Sequence, residues 1–218
     1  MKYSQWKRAC LDVLYPEGAV CLGCGRISDG NCLCPDCRRD LRHAGMLYAW
    51  DRRMLDGVPV WSMRLHEGLA RTLVLKLKFD ADACAAEALA DILLPLPEEL
   101  TLSPDTVITW VPMPASRRRE RCVDHAHLLA QAFAGRLRLL CRPLLLRRET
   151  GEHTQRGLSL DRRARNLEKA YAPVQRITFP VVLVDDVLTS GTTVRRCIAA
   201  LRQGGAKEIV VLTVTHAG

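Results

Sequence analysis

Aromatic side chains make up only 5% of the 218 residues of this chain, and no alternation of basic and aromatic residues occurs among them. Proteins that hold single-stranded nucleic acid usually stack bases on such rings, so a stacking platform has little to stand on here. No run of about 18 apolar residues is present that could span a bilayer. The first residues, Met1–Pro16, begin with charge and place Trp6, Cys10, Val13 and Leu14 at helical spacing instead of in one apolar block. That argues against a secretory signal. Two nucleotide-binding signatures are missing as well: neither G-x-x-x-x-G-K-[ST] nor G-x-G-x-x-G occurs. What the chain has in excess is positive charge, a formal +8 with pI about 9.1. A basic surface attracts polyanions, and from charge alone these could be a phosphorylated sugar, a nucleic acid or nothing specific. The length suits one α/β domain plus a small accessory module.

Ten cysteines are unusual for that length. They do not fall into a secreted disulfide framework, and four of them form two C-x-x-C pairs, so a reducing cytoplasm is the expected location. The pairs are Cys21-Leu22-Gly23-Cys24 and Cys34-Pro35-Asp36-Cys37. Two such knuckles can close four thiolates around one tetrahedral ion, with zinc the default occupant. Cys21, Cys24, Cys34 and Cys37 are the candidate ligands, and Cys32 is a fifth that could replace Cys34. Arg38, Arg39 and Leu41 suggest that the second knuckle opens a short helix. Too few apolar residues surround the knuckles to make a core without a metal. Residues 1–45 are therefore expected to form a small zinc-binding module, and 46–218 the main domain.

Farther along, Val58-Pro59-Val60-Trp61 reads as an edge strand because of its proline. Leu65, Leu69, Leu73 and Leu77 repeat at helical steps, and a second helix is expected from Asp82 to Leu94, before Pro95 and Pro97. Val107–Val111 reads as a strand ending in the rigid turn Pro112-Met113-Pro114. Arg117, Arg118, Arg119 and Arg121 follow at once; arginines there could grip a pyrophosphate or form a solvated turn. A helix through His127, Phe133 and Leu137 comes next. Residues 147–169 lack periodicity at their start and read as a loop leading to a short helix.

The most informative stretch is Val181–Thr193, V-V-L-V-D-D-V-L-T-S-G-T-T. Four apolar residues, three of them valine, suit a strand buried on both faces. They end in Asp185 and Asp186, and then in Thr189-Ser190-Gly191-Thr192-Thr193 before a helical stripe of Val194, Ile198 and Leu201. Successive backbone N–H groups in such a loop converge on an anion, hydroxyls add donors, and the helix dipole favours negative charge. Carboxylates repel phosphate, so the two aspartates need a different role, either accepting hydrogen bonds from a vicinal diol or helping to hold magnesium. A ribose 5-phosphate offers both groups. Asp-x-Asp, the aspartyl-phosphatase alternative, fails because Val187 stands where the second acid belongs. Gly204-Gly205 end the helix, and Glu208–Thr215 is a β-branched strand, completing a β-α-β unit and implying a parallel sheet.

This stretch resembles the phosphoribosyl-pyrophosphate (PRPP) motif of type I phosphoribosyltransferases. Over nearly the whole chain, the knuckles at 21–37, Lys76-Leu77-Lys78-Phe79, Val111–Pro114, His153-Thr154-Gln155 with Arg163 and Asn166, and Leu183–Thr193 resemble the ComF family of competence proteins. The resemblance implies a phosphoribosyltransferase-like α/β sheet flanked by helices, with an amino-terminal zinc ribbon. It implies that Asp185 and Asp186 bind the ribose hydroxyls of magnesium-PRPP and that Thr189, Ser190, Gly191, Thr192 and Thr193 cradle its 5-phosphate. The activity implied is phosphoribosyl transfer with release of pyrophosphate, and the biology is natural transformation, with single-stranded DNA or a competence helicase as partners. A DNA-handling or PRPP-sensing protein without turnover is the alternative. Where the family usually has Arg-Gly-Phe-Asn-Gln, this chain has Arg121-Cys122-Val123-Asp124-His125.

Overall fold

The computed structural model describes residues 19–28, 32–47, 50–63, 68–80, 82–94, 96–113, 123–147 and 170–216. Its strands are β1 (Trp50–Leu55), β2 (Val58–Met63), β3 (Val107–Trp110), β4 (Leu140–Cys141), β5 (Leu145–Arg147), β6 (Tyr171–Pro173), β7 (Val181–Leu188) and β8 (Ile209–His216). Its helices are α1 (Pro35–Leu47), α2 (Gly68–Asp80), α3 (Ala83–Ile92), α4 (His125–Leu137) and α5 (Thr192–Gln203). Six strands form one sheet in the order β1-β2-β8-β7-β3-β4, and β5 pairs with β6 in a separate two-stranded sheet. Within the large sheet only β1 and β2 are antiparallel; β2, β8, β7, β3 and β4 run parallel.

β7 lies inside this sheet because its side chains can be buried on both sides. Strand alternation sends Val182 and Val184 to one face, where they pack with Ile108, Leu212, Val214 and the α4 residues Leu129 and Phe133. It sends Val181 and Leu183 to the other, against Val60, Val107, Val211 and the α5 stripe Val194, Cys197, Ile198 and Leu201. Each fully buried aliphatic side chain contributes about 1.5–3 kcal/mol of transfer free energy, so this double-sided packing fixes β7 and whatever its carboxyl end carries. The fold class expected from the sequence, a mostly parallel sheet between helical layers with a cysteine cluster on its amino-terminal side, is the one found.

Local signals explain the ends of the elements. Asp82 caps α3, its side chain accepting from the Ala85 N–H at 3.0 Å. α5 closes with Gly205 N–H donating to Arg202 O and Ala206 N–H to Leu201 O, the paired bonds of a Schellman motif.

Three expectations change. β2 is not an edge strand, since it pairs with β1 on one side and β8 on the other. Pro59 is tolerated because the parallel pairing with β8 begins one residue later, at Val60. β7 does not stop before its acids; pairing with β8 carries it through Asp185 to Leu188. Cys32 is bonded to Cys84 on α3, so it does not compete with Cys34 in the cluster, and one cysteine pair does form a disulfide. Among the described residues no helix is long and apolar enough to cross a membrane. The amino-terminal stretch 1–16 and the expected loop at 148–169 lie outside the described residues.

Candidate functional site

The site is built where β3 ends beside the acids of β7 and where α4 and α5 begin. Val111 N–H still donates to Val184 O at 3.1 Å, so the chain leaves β3 level with the acids of β7. The Pro112-Met113 turn is then tied to α4, since Met113 N–H donates to Asp124 Oδ2 at 3.0 Å.

Adjacent residues on a strand face opposite sides, and this separates the two aspartates. Asp185 continues the α5 side and shares a register row with Thr213 and Ser62, whose hydroxyls bond to each other at 2.6 Å. Asp186 continues the α4 side, where its Oδ2 lies 3.4 Å from His125 Nε2. One oxygen of each carboxylate accepts the next backbone N–H, Asp186 N to Asp185 Oδ1 at 3.0 Å and Val187 N to Asp186 Oδ1 at 2.9 Å. Burial, reinforced by the neighbouring Asp186 charge, pushes the Asp185 carboxyl well above the usual carboxylate range. Asp186 Oδ2, Asp124 Oδ1 and His125 Nδ1 have no hydrogen-bond partner among the described residues.

After β7 the loop turns at Gly191, which is buried while Thr189, Ser190, Thr192 and Thr193 are exposed. Gly191 has φ +73° and serves as the N-cap of α5 without a side-chain cap of its own, while Thr192 N–H reaches back to Ser190 Oγ at 3.4 Å. Ser190 Oγ and Thr192 Oγ1 lie 2.9 Å apart. A Cβ added at Gly191 would lie 2.9 Å from Leu55 Cδ1, because the β1–β2 hairpin rests against the loop. The hairpin is held there by an ion pair between Asp56 and Arg195 of α5. Sequence reasoning misses this contact, although Asp56-Gly57, both at positive φ, is a two-residue hairpin signature. Asp124 and His125 enter the sequence reading only as departures from a family pattern; their meeting with Asp186 is a long-range contact that no local signal announces.

A second cluster lies at the amino-terminal side. Cys21 N–H donates to Arg26 O at 2.8 Å and Gly25 N–H to Cys21 O at 2.9 Å, closing the first knuckle, while Cys37 sits in the first turn of α1. The sulfurs of Cys21, Cys24, Cys34 and Cys37 all lie within 4.8 Å of one another. Cys24 Sγ and Cys34 Sγ are 3.7 Å apart. Zinc–sulfur bonds of about 2.3 Å imply a tetrahedral edge of about 3.8 Å, so the donor set fits a structural metal. Arg26, whose Nε donates to Cys24 Sγ at 3.3 Å, holds the Cys24 thiol down at about 6. Burial, with the neighbouring sulfurs, pushes Cys37 far up. Four thiolates in this space need a cation to ionise together. Gly23 has no room for a side chain, since a Cβ there would lie 2.8 Å from Cys37 Sγ. Leu33 and Leu41 join the same buried cluster as Leu73 and Leu89, so the knuckles pack directly on α2 and α3.

Of the residues singled out in the sequence, the structure brings Asp185, Asp186 and the 189–193 loop to one strand end and gathers the four cysteines. Arg117, Arg118, Arg119 and Arg121 lie outside the described residues, as do His153, Thr154, Gln155, Arg163 and Asn166.

No family model matches the chain. Among solved structures it is similar to glutamine PRPP amidotransferase from B. subtilis, with a TM-score of 0.40 and 20% identity, covering 73% of this chain and 28% of that one. It is similar also to adenine phosphoribosyltransferase from Leishmania donovani, with a TM-score of 0.36 and 13% identity, covering 82% and 79% of the two chains. Among curated proteins, competence protein F of Haemophilus influenzae is 27% identical over 92% of both chains. DNA utilization protein YhgH of Salmonella typhimurium is 30% identical over 208 residues, 88% of both chains. With identity spread over so much of both sequences, the chain belongs to the ComF family of competence and DNA-utilization proteins.

Proposed function

We propose that this protein binds magnesium-PRPP at the carboxyl ends of β3 and β7 and transfers its phosphoribosyl group to an acceptor, releasing pyrophosphate. The observation that carries the reading is one strand-loop-helix unit presenting two carboxylates, an exposed hydroxyl loop and the amino-terminal turn of α5 in succession. In this reading Asp185 and Asp186 accept hydrogen bonds from the ribose hydroxyls, and the N–H and hydroxyl groups of 189–193 hold the 5-phosphate. The bond between C1′ and the pyrophosphate oxygen breaks with oxocarbenium character, so these residues accelerate the reaction mainly by fixing the ribose while charge moves to the leaving group. Magnesium arrives with PRPP as part of the substrate and neutralises pyrophosphate charge. Arg117, Arg118, Arg119 and Arg121 supply further positive charge to the departing pyrophosphate. Zinc held by Cys21, Cys24, Cys34 and Cys37 stabilises residues 1–45 as a module on the transferase unit, 46–218, in a cytoplasmic protein that serves DNA uptake or use.

Calorimetric titration of magnesium-PRPP into the zinc-loaded protein tests this. Wild type is expected to bind and the Asp185→Asn/Asp186→Asn variant to lose binding. A folded wild type that takes up no PRPP sinks the reading.

The names of the curated relatives and the charge of +8 favour a second reading, a DNA-handling role that uses no turnover. Binding of single-stranded DNA through phosphates weakens steeply with salt and survives loss of Asp185, whereas PRPP binding does not survive it.

A further inference from the structure

Cys32 ties the knuckle segment to the main domain by a covalent bond that the four-cysteine cluster does not need. Its sulfur is bonded to Cys84 in the first turn of α3, across 52 residues of sequence, while the cluster sulfurs lie within 4.8 Å of one another without it. Each end is held independently of the bond. Leu22 N–H donates to Cys32 O at 2.9 Å, and Asp82 caps α3 just before Cys84. The Cα atoms are 5.1 Å apart, inside the range a disulfide requires, so the two thiols of a reduced form stay poised to close again. Both residues are half-buried. Cys32 also lines a cleft of about 190 Å³ whose wall carries Arg38 of α1, Glu87 and Asp91 of α3 and Arg136 of α4; Cys84 does not line it. Arg136 pairs with Glu87 at 2.6 Å and with Asp91 at 2.7 Å. Disulfides in a reducing cytoplasm are characteristically transient, catalytic or redox-sensing. A cleft with both signs of charge beside such a sulfur suits a small thiol that itself carries both signs.

We propose that Cys32–Cys84 is a reversible redox clamp between the cysteine knuckles and α3, and that the cleft admits the zwitterionic low-molecular-weight thiol, of the glutathione class, that opens and closes it. The inference takes only the cytoplasmic location from the reading above and does not depend on PRPP. A carboxylate of the thiol meets Arg38, and its ammonium group meets Glu87 or Asp91. Its thiolate attacks the Cys32 sulfur, forming a mixed disulfide as the Cys32–Cys84 bond breaks; Cys84 leaves as a thiolate and takes a proton from solvent. A second thiolate attacks the outer sulfur of the mixed disulfide, releasing the small disulfide and Cys32, which is protonated in turn. The protein gains two electrons and two protons, and two small thiols become one disulfide. The reverse sequence, driven by the small disulfide as oxidant, closes the clamp. Closed, it fixes the knuckles on α3. Open, that contact depends on the apolar seat of Leu33 and Leu41 against Leu73 and Leu89.

The test equilibrates full-length protein, with zinc present, in buffers of varied reduced-to-oxidised glutathione ratio, then blocks thiols by rapid alkylation and maps them by mass spectrometry. Cys32 and Cys84 are expected to become alkylated together in one two-electron transition. Cys84→Ser is expected to collect glutathione on Cys32, and Cys32→Ser to collect roughly tenfold less on Cys84. Arg38→Ala should slow reduction by glutathione on the order of fivefold and leave reduction by mercaptoethanol, which carries no charged group besides its thiolate, unchanged. Opening the bond should speed amide hydrogen exchange in α1 roughly tenfold, in reduced wild type and in Cys84→Ser alike. A bond that never forms, or never opens, at any glutathione ratio overturns the switch, and so does glutathione appearing equally on Cys84. Equal rates for Arg38→Ala and wild type with glutathione, or equal slowing with both reductants, overturns the cleft as the entry site. Unchanged exchange in α1 overturns the clamp.

Discussion

Gly191 is where one added methyl group reports on backbone, hairpin and ligand together. Its φ of +73° lies in the left-handed region, which costs an L-residue roughly 1–2 kcal/mol. An alanine Cβ would also stand 2.9 Å from Leu55 Cδ1, an overlap that cannot persist. The atom it meets is the tip of a flexible side chain at a hairpin end, so relief by an off-rotamer Leu55 costs about 0.5–1.5 kcal/mol. Gly191→Ala is therefore expected to destabilise the protein by about 2.5 kcal/mol, lowering Tm by roughly 5–10 °C for a chain of this size. Urea unfolding followed by tryptophan fluorescence measures it. Leu55→Ala removes the overlap but leaves the backbone strain, so the double variant should recover about 0.5–1.5 kcal/mol relative to additivity. If the loop holds the 5-phosphate as proposed, magnesium-PRPP binding should weaken in Gly191→Ala, because the strained loop no longer presents its N–H groups in register. A loss below about 0.5 kcal/mol would refute the left-handed geometry, and strict additivity would refute the hairpin contact.

Asp185 has a folded-state pKa raised above its unfolded value, first by burial and then by Asp186. The native state holds that proton longer, so stability is highest below about pH 4 as far as this group is concerned and declines as pH rises through the folded pKa. Asp185→Asn is expected to be more stable than wild type at neutral pH, by a margin that grows over that window; parallel stability curves would refute it. In metal-free protein, alkylation of Cys24 should rise with pH and level off above about 6, and Arg26→Ala should move that midpoint upward. Cys141, pushed up to about 11 by burial, should react far more slowly at neutral pH.

Much of the framework was legible because it is written in local pattern. The apolar run into Asp185, the stripe at Val194, Ile198 and Leu201, and the closing Gly204-Gly205 each report on their own neighbourhood, and together they define the β-α-β unit. The knuckle spacing likewise placed Cys21, Cys24, Cys34 and Cys37 in one cluster. What stayed hidden depends on partners distant in sequence. That β7 continues through its acids follows from pairing with β8 up to His216. The Cys32–Cys84 bond spans 52 residues, and connectivity of that kind is not deducible from spacing. The interior position of β2 arises from β8, at the other end of the chain.

Placing two consecutive carboxylates on a strand buried on both faces separates their duties in a way a loop would not. Alternation puts Asp185 beside the Ser62–Thr213 hydroxyl pair and α5, and Asp186 beside His125 and α4. In the proposed reading, a sugar lying across the strand end is held from both sides of the sheet, and the loop proposed to hold its phosphate continues from the same strand. The arrangement costs stability, since burial opposes the Asp185 charge and Asp186 Oδ2 has no hydrogen-bond partner among the described residues. Residues serving packing alone would be replaced by the valine and leucine that fill the rest of β7. A fold that keeps two acids there, against the energetic preference of its own core, fits the ligand-binding role proposed for them.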